Sequence, residues 1–203
     1  MIKLLISGFE PFGGEQVNPS YEVIKRLDKD KLPCELVTIE LPVLFSEAAD
    51  ILIHKIHEVK PDIILMIGQA GGRKKLSVER VALNLNDSDQ PDNRGFTPQD
   101  EPIIPSGPIA YYSTLPIKKI VHTLKAHYIP VGISNSAGTY VCNNIFYRIM
   151  HELNNHPELT TKAGFIHVPY ERRQTRFKPH LFSLEIDTLT DAIKHIIETL
   201  CLD

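Results

Sequence analysis

The segment Ser134-Asn135-Ser136-Ala137-Gly138-Thr139-Tyr140-Val141-Cys142-Asn143-Asn144 places a cysteine where a turn of small residues becomes a helix. After Cys142 the apolar residues Ile145, Phe146, Ile149, Met150 and Leu153 recur with helical period. Cys142 is therefore expected in the first helical turn, where backbone N–H groups without carbonyl partners favour a negative thiolate. A lowered thiol pKa is what a nucleophilic cysteine needs. Buried cysteines are more often inert small hydrophobes, so the assignment requires a base as well. His167, in Phe165-Ile166-His167-Val168-Pro169-Tyr170, stands near the end of an apolar run with its side chain on the face opposite Ile166 and Val168. Alone it reads equally as a satisfied core residue. Paired with Cys142 it is a general base that takes the thiol proton and later protonates a leaving amine.

Such a base needs an orienting group on its other ring nitrogen. Glu79, the one acid in Leu76-Ser77-Val78-Glu79-Arg80-Val81-Ala82-Leu83-Asn84, is a candidate, and a surface pair of Glu79 with Arg80 fits the spacing as well. Two glycine-rich segments, Gly8-Phe9-Glu10-Pro11-Phe12-Gly13-Gly14 and Gly68-Gln69-Ala70-Gly71-Gly72-Arg73, lack both the Lys-Ser/Thr ending of a phosphate loop and the spacing of a dinucleotide site. Phe9 and Phe12 offer two aromatic faces on a turn, suited to a small, flat, neutral ligand or to local core. His54 and His57 share a helix face, but with no cysteine or third ligand nearby in sequence they are expected to be solvated. No metal site is expected.

The elements that must carry these residues follow an alternating order. Ile2 to Ile6 and Ile63 to Ile67 are short apolar runs ended by glycine, the pattern of strands buried on both faces. Asn18-Pro19-Ser20 starts a helix through about Leu27, with Asn18 as cap. Glu35 to Leu41 is a strand, and Ser46 is expected to cap a helix bearing Ala48, Leu52, Ile56 and Val59. Leu76 to Leu85 is extended. Five prolines between Asn86 and Pro108 exclude a helix and make a long irregular loop of the kind kept for a site, a lid or an interface. Pro116 opens a helix, Ile129 to Ser134 and Ala163 to Val168 are strands, and Thr188 to Leu200 is an amphipathic helix. The order reads as an α/β fold: a single domain over residues 1–203, with an open, twisted, mostly parallel sheet and helices on both faces. In such sheets ligand sites gather at the carboxyl ends of strands. Gly8 to Ser20, Gly68 to Gly72, Asn135 to Cys142 and His167 are all expected at that edge.

Composition narrows the class. The 203 residues are 42% hydrophobic, enough for a full core, and the formal net charge of −3 comes from interspersed charges without a basic run, which argues against a nucleic-acid partner. No apolar stretch approaches the roughly 20 residues of a membrane span. Three cysteines without CxxC spacing, and an N-terminal apolar run too short for a signal peptide, fit a reducing cytoplasm.

Taken in order from Ser7 to about Tyr170, both glycine-rich segments, Asn18-Pro19-Ser20, Glu79-Arg80-Val81-Ala82, Pro91-Asp92-Asn93, Ser134 to Asn143 and the His167 segment resemble the pyroglutamyl-peptidase I (pyrrolidone-carboxylate peptidase) family. The resemblance implies a cytosolic, cofactor-free α/β cysteine peptidase, commonly a homotetramer, that releases N-terminal 5-oxoproline from peptides. It implies Cys142 as nucleophile, His167 as base and Glu79 as the group that orients it, with Phe9, Phe12 and Tyr140 packing on the substrate ring and Gln69 near its lactam. Tyr140 stands where phenylalanine is commoner and is expected to bring a hydroxyl near the pocket. Asp89 stands where many members carry an arginine, with Arg94 the residue that could restore the charge or pair with Asp89. The chief competing reading is a non-catalytic binding module that retains the pocket. A nucleoside-processing enzyme is a third, weakened by the absence of a phosphate or ribose motif.

Overall fold

A computed structural model describes residues 1–202 of the chain. Its apolar runs become the inner strands: β1 (Lys3–Phe9), β3 (Ile63–Gln69) and β8 (Lys162–Val168), each buried almost throughout. With β2 (Glu35–Leu41), β4 (Leu76–Glu79) and β7 (Val131–Ser134) they form one six-stranded sheet in the order β2-β1-β3-β8-β4-β7. Every neighbouring pair is parallel except β4 with β8.

Strand alternation divides the core in two. Leu4, Ile6, Leu65, Ile67, Val78 and Ile166 face α1 (Pro19–Lys25), α3 (Ile117–Ala126) and α5 (Ile186–Cys201). Leu5, Ile64, Met66, Ala163 and Phe165 face α2 (Ala48–Val59) and α4 (Val141–Asn155). Both faces of the sheet are thus covered, the expected α/β arrangement. On the α2 and α4 face the rows change character towards the carboxyl ends of β1, β3 and β8. Leu5 is followed by Ser7, Met66 by Gly68 and Phe165 by His167, and from the antiparallel β4 come Ser77 and Glu79. Small and polar side chains replace large apolar ones where the site lies.

Local signals account for most element ends. Asn18 accepts the Ser20 N–H at 3.1 Å, and Pro19, which has no N–H to satisfy, occupies the first turn of α1. The expected Ser46 cap is not formed: α2 begins at Ala48 after Glu47, without a side-chain cap. The extended stretch after Leu76 breaks at Arg80 into β4 and β5 (Val81–Leu83), and β5 pairs antiparallel with β6 (Ala110–Tyr112), a hairpin closed by the proline-rich loop. Two short strands, β9 (Tyr170–Glu171) and β10 (Ser183–Leu184), pair beyond the main sheet. Because β7 runs against β1, β3 and β8, its end at Ser134 lies level with Glu79, inside the sheet. The Asn135 to Tyr140 loop therefore reaches the site by turning back, which corrects the expectation that it leaves from the shared carboxyl edge.

Asn143, in the first turn of α4, ties this helix to the hairpin. Its amide accepts from the Leu83 N–H at 2.9 Å and donates to the Leu83 and Leu85 carbonyls at 2.9 and 3.0 Å. Asn143→Ala would strand these partly buried backbone groups at a cost of about 2 kcal/mol. Thermal unfolding should show a Tm lower by about 4–8 °C, and a Tm within 1 °C of the parent would show that the bonds contribute nothing.

Candidate active site

Parallel pairing sets Gly68 of β3 beside His167 of β8 on the α4 face. A Cβ at Gly68 would lie 2.7 Å from Cys142 Sγ and 2.8 Å from Phe165 Cζ, so the sulfur occupies the space that only glycine leaves open. Cys142 Sγ thus rests on the strand next to His167, on the same face of the sheet. No thiol–imidazole hydrogen bond is present among the described residues, and such bonds often tighten only with substrate bound.

His167 is 3% exposed, and its Nδ1 meets Glu79 Oε1 at 2.8 Å, leaving Nε2 as the nitrogen free for proton transfer. Glu79 is fully buried, which discards the surface-pair reading; Arg80 instead donates to Asn135 Oδ1 at 2.8 Å. The second partner of Glu79 is Arg73, whose Nη1 reaches the same Oε1 at 2.5 Å from the glycine-rich loop. Arg73 was not assigned a role by sequence, where only its place after Gly71-Gly72 marked it. Glu79 Oε2 has no hydrogen-bond partner among the described residues.

Burial would raise the Glu79 pKa, but the bond from His167 and the charge of Arg73 outweigh it and hold the carboxyl below its usual range. Burial lowers the His167 pKa more than Glu79 restores it. The Cys142 thiol, desolvated and close to the Glu79 charge, is pushed up to about 12. The helix-start effect, from which a depressed thiol pKa was expected, is outweighed. Both shifts favour a neutral thiol and a neutral imidazole at rest.

The start of α4 supplies a second element. Asn143 and Asn144 N–H groups bond the Tyr140 carbonyl at 2.9 and 3.1 Å, while those of Val141 and Cys142 have no carbonyl partner among the described residues. Two donors beside the sulfur can hold an oxyanion.

Next to Cys142 is a slot lined by Phe9, Phe12, Asn18, Val43, Gln69, Tyr140 and Val141, without a charged side chain. Its free volume is about 10 Å³, the room of a single water. Phe12, Gln69 and Tyr140 also border a cleft of about 610 Å³ that includes Gly13, Ser88, Gln90 and Tyr170. Gln69 is buried and its Oε1 accepts from Gln174 Nε2 at 2.9 Å. The Tyr140 ring packs edge-on against Phe45, and its hydroxyl donates to the Pro91 carbonyl at 2.9 Å. The hydroxyl expected near the pocket thus also ties down the proline-rich loop. Asp92 accepts from the N–H groups of Arg94, Phe96 and Phe45, and Asn93 donates to Glu10 Oε1 and the Pro11 carbonyl. Asp89 is exposed, and Arg94 pairs with Glu47 rather than with Asp89.

The sequence profile of the pyroglutamyl peptidase family matches residues 2–202. The chain belongs to this family. The pyrrolidone-carboxylate peptidase of Thermococcus onnurineus is 48% identical over 98% of both chains, and peptidase 1 of Caldanaerobacter subterraneus is 46% identical over the same shares. Among solved structures, the pyroglutamyl peptidase I of Bacillus amyloliquefaciens superposes with a TM-score of 0.94 at 42% identity, covering 100% of this chain and 98% of that one. A mutant pyrrolidone carboxyl peptidase of Pyrococcus furiosus gives 0.92 at 41% identity over 98% of each chain. The fold is thus that of the pyroglutamyl peptidases over essentially the whole sequence.

A neutral thiol–imidazole pair predicts the reactivity of Cys142. It should be alkylated by iodoacetamide before the buried Cys34 and Cys201, with a rate that climbs about tenfold per pH unit from pH 7 to 10 as the thiolate fraction grows. Peptide mapping across pH gives the profile. A plateau from pH 6 to 9 would instead show a standing thiolate–imidazolium pair.

Proposed function

We propose that this member of the pyroglutamyl peptidase family is a cysteine exopeptidase that removes an N-terminal pyroglutamyl residue from peptides through Cys142, His167 and Glu79. The observation that carries the proposal is the buried Glu79–His167 bond of 2.8 Å on the sheet face where Cys142 lies. His167 Nε2 takes the thiol proton as Sγ attacks the carbonyl carbon of the pyroglutamyl residue. The oxyanion forms against the Val141 and Cys142 N–H groups. The imidazolium, stabilised by Glu79, passes its proton to the amine nitrogen as the C–N bond breaks, leaving a thioester. Water, deprotonated by His167, then attacks the thioester and releases free pyroglutamate and the thiol. No cofactor enters these steps.

The uncharged slot supports the substrate class. A pyroglutamyl ring has neither the α-ammonium nor the side-chain carboxylate of glutamate, so a site for it should be apolar with a few placed polar groups. Phe9, Phe12 and Tyr140 are read as the ring's contacts, and Gln69, whose Nε2 remains available, as a donor to the lactam carbonyl. With room for about one water, the slot must widen before it admits the ring. Phe12 precedes Gly13 and Gly14, both at positive φ of 62° and 77°, a turn that L side chains rarely adopt. We read this turn as the part that moves, and the following peptide as lying in the wider cleft. Arg73 is read as holding Glu79 ionised and turned to His167.

The same reading makes residues 1–203 one peptidase domain acting in the cytoplasm as a homotetramer. No helix among the described residues is long and apolar enough to cross a membrane. Ile109 and Phe177, each 88% exposed, are apolar surface that assembly would cover.

Turnover of a pyroglutamyl amide tests the mechanism. Cys142→Ser should be folded and nearly inactive, because serine is far harder to ionise. Glu79→Gln should retain more single-turnover activity than His167→Ala, since an amide still positions the imidazole while losing its charge stabilisation. A wild-type rate for Glu79→Gln would remove Glu79 from the mechanism. An uncyclised glutamyl amide should lose at least about a thousandfold in kcat/KM, because the slot would bury its charges unpaired at several kcal/mol. Comparable values for both amides would refute the neutral-ring site.

A further inference from the structure

On the surface away from this site, three potential ligands from two helices converge. His57 lies in the last turn of α2, Glu152 near the end of α4, and His156 directly after α4. His57 Nε2 is 2.7 Å and His156 Nε2 3.3 Å from Glu152 Oε1, and the three ligand atoms all lie within 4.8 Å of one another. The sequence reading considered His57 only with His54 and expected both to be solvated. His54 is exposed, whereas the partners of His57 come from a helix almost a hundred residues later.

The arrangement has the features of a ligand set. Two imidazole nitrogens and a carboxylate oxygen suit zinc, whose tetrahedral ligand atoms stand about 3.3 Å apart at bond lengths near 2.0 Å. Glu152 Oε1 and His156 Nε2 already stand at that spacing, 3.3 Å apart. His156 Nδ1 meets Glu158 Oε1 at 2.9 Å, a carboxylate that would keep the proton on Nδ1 when a cation displaces the one on Nε2. A carboxylate behind a ligating histidine is the usual outer support of such a centre. Glu152 and Glu158 supply negative charge, and the carboxyl-terminal ends of α2 and α4 add their dipoles, both favourable to a cation. At 44%, 20% and 41% side-chain exposure, His57, Glu152 and His156 leave a fourth position open to water.

We propose that His57, Glu152 and His156 form a binding site for one divalent zinc-class cation, which clamps the end of α2 to the end of α4. The proposal is independent of the peptidase assignment. Because Cys142 and His167 could themselves take zinc, the test uses the parent protein and Cys142→Ser in parallel. Zinc chloride is titrated by calorimetry, with thermal unfolding as a second readout. Cys142→Ser should bind one equivalent and gain about 5 °C or more in Tm at a hundredfold excess over Kd. Adding His57→Ala or His156→Ala should weaken binding at least about tenfold and remove the Tm gain, while His54→Ala should change neither. Circular dichroism verifies that each variant is folded. Loss of all binding in Cys142→Ser would assign the metal to the catalytic thiol and overturn the proposal, as would binding that survives both histidine substitutions.

Discussion

The ionised carboxylate of Glu79 is the constraint around which this structure is arranged. A fully buried charge is tolerated only when paired and hydrogen-bonded, and here one oxygen serves both His167 and Arg73. That pairing requires β4 to enter the sheet against the direction of β8, which brings Glu79 diagonally past Ser77 to the imidazole. The same charge acts on the sulfur. It opposes a second negative charge at Cys142 while favouring a positive one on His167, so the site resists forming thiolate alone and accepts proton transfer within the pair. In the proposed mechanism, chemistry then begins from the neutral state, with Glu79 compensating charge as it develops.

Around this centre the loops hold one another through short polar side chains. Asn93 joins the Phe9 to Gly14 turn through Glu10 and Pro11, Asp92 reaches the Phe45 N–H, and Tyr140 ties Pro91 to the start of α4. Pro91-Asp92-Asn93 is thereby given a physical role: it is the knot that keeps segments distant in sequence at fixed separation around the slot. The segment from Asn86 to Pro108 has little regular structure, and fixed polar contacts of this kind do the work that a strand ladder would do elsewhere.

The inner strands and the helices were legible because local signals determine them: apolar runs ended by glycine, a proline after an asparagine cap, helical stripes. The placing of Cys142 in the first turn of α4 was legible for the same reason. Other features depend on partners far along the chain. Four residues of β4 do not reveal that the strand runs antiparallel to β8, so the partner of Glu79 could not be chosen between Arg80 and His167 from spacing. Arg73 belongs to a loop whose path is set by the sheet. The thiol pKa was misjudged because burial, a tertiary property, exceeds the helix-start effect. The pairing of Arg94 with Glu47 rather than Asp89, and the acceptor of the Tyr140 hydroxyl, were hidden for a similar reason: nothing in the sequence states where the proline-rich loop lies.

The near-closed slot has a consequence for affinity. A protein whose receptive conformation is a minor fraction of the population binds with an apparent Kd equal to the intrinsic value divided by that fraction. If opening requires Phe12 and Tyr140 to part, their 6.0 Å ring contact is the bond that every ligand must first release. Small ligands that reach only the slot would carry this cost unaided. A longer chain, gripping the cleft beside Gln90 and Tyr170, could offset it with contacts made outside the slot. Discrimination and grip would then reside in different places: the closed slot decides which end group is accepted, and the open cleft supplies the free energy that lets it in.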